Sequence, residues 1–243
     1  MITVISHFYN EQFLLPHWLK HHRDIFGHGI MINYGSTDKS VDIIRDLVPS
    51  WTLVDSVNSM FSAEFVDEEV MMYEREIDGW KTCLNTTEFF YPKDLEFTKI
   101  TEPMFYRCDP YFLVDTKGDC DKPFKGKFME EPLWGFSEWA DIGKMEGMVR
   151  ARVVHNLEDA RYHSGRHNSD YGWGGRNEDL ILKYVADYPW CSEMLKRKMQ
   201  ILDKLDKEHE PLSGKEPWNK GHYRNKQEWI EYHQMLVDKS HEL

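Results

Sequence analysis

The sequence predicts an α/β fold: a mostly parallel sheet flanked by helices, with a helical extension at the C-terminus. Three observations predict it. Short β-rich runs alternate with amphipathic helical patterns from the first residues to about residue 85. After Glu88 the alternation gives way to short β-like runs, many aromatics and Gly/Pro breaks. The 243 residues are 41% apolar, enough for one sizeable core.

The elements follow in order. "ITVISHF" (2–8) is a first strand. "EQFLLPHWLKHHRDIFG" carries Leu14, Trp18 and His22 four residues apart and stops at Gly27, a helix. "GIMIN" is the second strand. "DKSVDIIRDLV" sets Val41, Ile44 and Val48 on one helical face. "WTLVDS" is the third strand. "SAEFVDEEVMMYEREIDGW" spaces Val66, Val70, Tyr73 and Ile77 as a third amphipathic helix, and "WKTCLN" is the fourth strand. Strand–helix alternation of this kind places helices on both faces of a parallel sheet. Further on, "GMVRARVVHN" alternates as a strand, while "NEDLILKYVADY", "SEMLKRKMQILDKLDKEH" and "KQEWIEYHQMLVDK" read as helices. Residues 1–210 are expected to form one domain, in two parts, 1–90 and 91–210, with 211–243 a linker and a C-terminal helix.

The bulk numbers exclude several classes. A net charge of −12 disfavours binding to nucleic acid, though a small anion can still bind through local dipoles. The four cysteines, Cys83, Cys108, Cys120 and Cys191, are dispersed, with no Cys-x-x-Cys pair for a zinc ribbon or redox motif. The start "MITVISHFYNEQ" lacks the basic and apolar regions of a signal peptide, and no apolar run approaches the roughly 18 residues of a membrane span. The expectation is a soluble, cytoplasmic protein.

In an open parallel sheet, ligands bind beyond the carboxyl ends of the strands. The first strand ends in Tyr9, Asn10 and Glu11, the second in "NYGSTD", the fourth in "LNTTEF". Such polar ends suit a nucleotide: Asn33 and Tyr34 can meet a base, Glu11 a ribose hydroxyl, and helix-start N–H groups a phosphate. Asp38 suits an N-cap of the helix that follows, which leaves room for a ligand beside it.

"ISHFYNEQFLLPHWLKHH…GIMINYGSTDKSVDIIRDL…WKTCLNTTEFF" resembles the N-terminal half of family-2-like glycosyltransferases of the GT-A fold, a Rossmann-like nucleotide-diphospho-sugar transferase architecture. In that family the first strand often ends in a "YNE"-like turn, the second in a "D-x-G-S-x-D"-like turn that holds the base, and the fourth in an Asp-x-Asp motif. "RVVHNL…RYHSGRHN…NEDLILKYV…YPWCSEMLKRKMQI" is similar to a block that recurs in a subgroup of such proteins. The resemblance spans roughly residues 2–205.

The resemblance implies transfer of a hexose or deoxyhexose from a nucleoside-diphosphate sugar, UDP first among them, to a hydroxyl of a glycan or glycoprotein acceptor, with inversion. Tyr9, Asn10, Glu11, Asn33, Tyr34, Asp38, Asn85 and Arg166 then serve the nucleotide. The family's Asp-x-Asp holds Mn²⁺ or Mg²⁺, but here the turn reads Asn85-Thr86-Thr87, and only Glu88 keeps a charge. Three outcomes stay open: Glu88 takes over the metal, binding is weak and water-rich, or no metal is used. His163 and His167 are the expected further metal ligands. The base that deprotonates the acceptor is expected at a helix start, Glu178 or Asp179, with Glu131 and Glu138 in the aromatic loop "EEPLWGFSEW" as rivals. Trp134, Phe136 and Trp139 of that loop suit a sugar platform. Asp119 and Asp121 spell a literal Asp-x-Asp, but in a charged loop rather than after an apolar strand. The alternatives are a nucleotide- or glycan-binding module without turnover, supported by the missing Asp-x-Asp, and a nucleotidyltransferase, opposed by the lack of a Gly-rich loop after the first strand.

Overall fold

A computed structural model describes residues 2–93, 99–129, 133–137, 151–163, 165–167, 169–172, 175–200, 204 and 224–243. The chain alternates β1 (Thr3–Phe8), α1 (Leu15–His22), β2 (His28–Asn33), α2 (Ser40–Leu47), β3 (Thr52–Asp55), α3 (Ala63–Arg75) and β4 (Lys81–Cys83). There follow β5 (Glu88–Pro92), β6 (Phe105–Val114), β7 (Trp134–Ser137), β8 (Val153–His155), β9 (Gly175–Asp187), α4 (Ser192–Gln200), α5 (Lys226–Lys239) and β10 (His241–Glu242). The fold class is the expected α/β.

The first four strands form the expected parallel unit in the order β4-β1-β2-β3, with Phe8 beside Asn33 and Asn33 beside Asp55. β1 and β2 are almost wholly buried, which is why they read as near-continuous apolar runs. The close approach of Trp51 to β2 needs a residue without a side chain: a Cβ on Gly29 would lie 2.1 Å from the indole. The second half is mixed. β8 runs antiparallel to β4, β6 antiparallel to β8 and β7, and β9 parallel to β6 while antiparallel to β5.

α1 buries Leu15, Trp18, Leu19 and His22, a three- and four-residue spacing, and opens with a proline where a missing N–H costs nothing. Two of these side chains bind the backbone of β5. The Trp18 indole donates to the Glu88 carbonyl at 2.8 Å, and His22 Nε2 accepts from Phe90 N–H at 3.0 Å. α1 is thereby fastened to a strand roughly 70 residues later.

One predicted helix is a strand. "NEDLILKYVADY" falls in β9, a 13-residue strand that pairs with β5 and β6. Leu180, Leu182 and Tyr184 are buried while Ile181 and Lys183 between them are only partly so, a period of two. Ile181 with Tyr184 and Val185, three and four residues on, also fits a helical stripe, and pairing with β5 and β6 decides for the strand. Glu178 and Asp179 therefore do not open a helix. The last helix lies where expected, from Lys226. A reciprocal capping box starts it: Asn225 Oδ1 accepts from Glu228 N–H and Glu228 accepts from Asn225 N–H. Its Leu236 packs with Phe112, Val114 and Tyr184 of the sheet. Among the described residues no helix is long and apolar enough to cross a membrane. The four cysteines are buried free thiols.

Candidate functional site

The carboxyl ends of β1 and β4, with Tyr34 just past β2, open into a cleft of about 430 Å³. His7, Phe8, Tyr9 and Glu11 follow β1; Asn85, Thr86 and Thr87 follow β4; Phe112, Tyr184 and Asp187 come from β6 and β9. Six cationic side chains line it, Arg152, Arg166, Arg197, Lys198, Lys204 and Arg224, against three carboxylates, Glu11, Asp67 and Asp187. A chain with a net charge of −12 thus concentrates positive charge at one strand-end cleft.

Most of these charges are paired across long sequence distances. Arg197, on α4, grips Glu11 at 2.6 Å and reaches Thr86 Oγ1 at 3.5 Å. Arg166 donates to Asp67 on α3 and, at 2.8 Å, to Asn85 Oδ1. Lys198 lies 3.2 Å from Asp187. Burial opposes ionisation of Asp187, but Lys198 and His233 outweigh it and hold the carboxyl below its usual range. Lys204 sits over the Tyr9 ring, 5.0 Å from its centre. His7 is held well towards the neutral form, first by burial and then by Arg166 and Arg152.

The structure separates the expected nucleotide residues into two groups. Tyr9, Glu11, Tyr34, Asn85 and Arg166 line the cleft. Tyr34 is nonetheless core: it is 4% exposed, and its hydroxyl donates to Glu69 at 3.0 Å. Burial, together with the Glu69 carboxylate, pushes the phenol up to about 12.

Asn10, Asn33 and Asp38 instead brace the rim. Asn10 adopts φ 52°, donates its N–H to Ser36 Oγ, and accepts from Thr37 and Asp38 N–H at 2.8 and 3.3 Å. Asn33 spans from Asp55 to Ser36 N–H. Asp38 is not the expected N-cap: Lys39 holds that position without a side-chain cap bond, and Asp38 one residue earlier closes an Asx turn, accepting from Ser40 N–H at 2.9 Å while its other oxygen accepts from Gln12 N–H. Gly35, at φ 71°, supplies the left-handed turn between Tyr34 and Ser36. The polar strand ends thus serve largely to tie the first two βα loops together.

The expected metal ligands do not come together. Both oxygens of Glu88 are held by Arg152 at 2.8 Å, and one also accepts from Asn85 N–H at 2.7 Å. The Glu88 side chain is wholly buried. His163 is exposed and faces Asp170 at 3.0 Å. His167 turns Nδ1 to the Ala151 carbonyl and the Arg152 guanidinium. Among the described residues no group of three His, Cys, Asp or Glu is placed to hold a metal ion. A divalent cation needs free carboxylate oxygens, and a carboxylate saturated by a guanidinium and an amide supplies none. The arrangement around Glu88 does not fit Mn²⁺ or Mg²⁺.

Glu178 and Asp179 are exposed on the early part of β9 and do not line the cleft. Asp179 lies eight residues before Asp187, roughly 25 Å along an extended strand. Glu131, Glu138 and Trp139 fall outside the described residues. Phe136 is core, at 4% exposed, and Trp134 lines a separate surface cavity with Trp190 and several lysines. Asp119 and Asp121 form surface pairs with Lys122 and Lys226.

Sequence reasoning missed Asp67, Arg152, Asp187, Arg197 and Lys198. One signal was readable: Asp67 shares the buried face of α3 with Val66, Val70 and Glu74, where a carboxylate needs a partner.

The fold and cleft define an α/β protein with a cationic strand-end site. No family model matches the chain, and no curated protein matches it. Among solved structures, S. aureus TarS 1–349 is 10% identical over 84% of this chain and 64% of that one, with a TM-score of 0.42. S. aureus TarS 1–349 in complex with UDP-GlcNAc is 14% identical over 54% of this chain and 38% of that one, at 0.32. The inositol-1-phosphate CTP transferase from T. maritima is 12% identical over 83% of this chain and 95% of that one, at 0.41. The chain spans less than two thirds of the TarS chains it matches. Likeness at this level assigns no reaction.

Proposed function

We propose that the chain is a nucleotide-sugar-dependent glycosyltransferase that moves a hexose or deoxyhexose, from UDP first among nucleotides, to a glycan hydroxyl with inversion. The observation that carries the reading is the cleft: a parallel-sheet strand-end site whose cations outnumber its carboxylates, in an otherwise acidic chain, in the segments that resemble such enzymes. Tyr9, at the mouth of the cleft, packs against the nucleoside, and buried Tyr34 supports the wall behind it. The guanidinium groups beside Asn85–Thr87 receive the diphosphate and stabilise it as it leaves. The acceptor hydroxyl attacks the anomeric carbon, its proton passing to a carboxylate. Of the three carboxylates in the cleft we assign Asp187, which closes its β9 edge and stays ionised beside Lys198.

The experiment is release of nucleoside diphosphate from a panel of UDP-, GDP- and dTDP-sugars with simple glycan acceptors. The expected result is turnover with one donor, lowered by about two orders of magnitude or more in Asp187→Asn with donor KM little changed. Binding without turnover would make the chain a binding module. Neither binding nor turnover with any donor would end the reading.

A further inference from the structure

We propose that the donor's diphosphate is bound without a divalent cation, on the guanidinium groups of Arg166 and Arg197, which both contact the Asn85–Thr87 turn. The inference rests on the glycosyltransferase reading and specifies how that site takes its anion.

Four observations carry it. The turn after β4, Asn85-Thr86-Thr87, carries no carboxylate. The one carboxylate left beside it, Glu88, is withdrawn into a two-pronged pair with Arg152 and is wholly buried. Two guanidinium groups touch the turn: Arg166 at Asn85 Oδ1, 2.8 Å, and Arg197 at Thr86 Oγ1, 3.5 Å. Finally, Arg166 is held in a backbone conformation that costs a side-chain-bearing residue energy, φ 60°, and its buried Nε has no hydrogen-bond partner.

A planar guanidinium retains donors after one carboxylate pair is made, since it carries five N–H groups in a fixed fork. Arg197 is the more open of the two, with 20% of its side chain exposed, and Lys204 lies on the same cleft over Tyr9. The carboxylates of Asp67 and Glu11 orient the two guanidinium groups without removing their capacity to donate. The site is thus arranged for two adjacent phosphates, the class of ligand being a nucleoside diphosphate and its sugar ester.

The test is calorimetric titration of the full chain with UDP, GDP, dTDP and uridine, in EDTA and in Mn²⁺. The expected result is one nucleoside diphosphate whose Kd differs less than about threefold between the two buffers, and which Arg197→Gln weakens roughly tenfold or more while uridine is little affected. Glu11→Gln/Arg197→Gln, which removes the pair without stranding Glu11, gives the same loss and separates binding from misfolding. Diphosphate binding that needs Mn²⁺, or equal losses for uridine and UDP in Arg197→Gln, overturns the inference and leaves the transferase reading standing. Absence of binding by every nucleoside diphosphate in both buffers overturns both.

Discussion

Arg152 grips Glu88 with two parallel hydrogen bonds of 2.8 Å, and both side chains are withdrawn from solvent. Removing one member of such a pair strands a buried charge. Glu88→Ala is expected to lower the free energy of unfolding by about 3–5 kcal/mol, read from urea denaturation. Glu88→Leu/Arg152→Met is expected to recover most of that loss, because a matched apolar pair strands nothing. A single variant as stable as the wild type would contradict the buried pair.

The buried histidines make the fold acid-sensitive. Burial, and then the neighbouring His21, holds His22 well towards its neutral form, and its Nε2 accepts a hydrogen bond that protonation would abolish. The unfolded chain binds that proton below about pH 6.5 and the folded chain does not, so stability is full above that pH and falls as pH drops below it. The expected slope is up to about 1.4 kcal/mol per pH unit for this one group. His7, depressed by burial and by Arg166 and Arg152, adds in the same direction. His22→Gln retains an acceptor for Phe90 N–H and is expected to flatten the pH dependence of urea midpoints between pH 7 and 5. An unchanged slope would count against the assignment.

Gly29 faces the Trp51 ring with no space for a methyl group. Gly29→Ala must push the indole or bend β2, and is expected to cost about 1–3 kcal/mol. Thermal melting checks it, and Gly79→Ala, with nothing near its Cβ but a φ of 88°, separates crowding from backbone strain.

Asn225→Ala removes the cap that accepts from Glu228 N–H. The expected loss is about 1 kcal/mol of stability, measured by denaturant unfolding, with Asn225→Asp near neutral.

The first half of the fold was legible because each parallel strand and its helix carry their own period. Val66 and Val70 mark α3 as plainly as the apolar run marks β2. β9 was not legible, because Leu180, Leu182 and Tyr184 fit a strand while Ile181, Tyr184 and Val185 fit a helix, and only pairing with β5 and β6 decides between them. The strand-end turns were found, but not the tasks within them. Asn10, Asn33 and Asp38 look like ligand contacts in sequence and prove to be occupied by the neighbouring loop. The ion pairs that shape the cleft join residues 64, 99 and 186 positions apart, so no local pattern announces them.

The brace between Asn10 and Ser36–Asp38 has one further consequence. Three hydrogen bonds join the two loops, so displacing either one from this edge means breaking bonds to the other. Little of a ligand's interaction free energy is then diverted to ordering backbone at that edge.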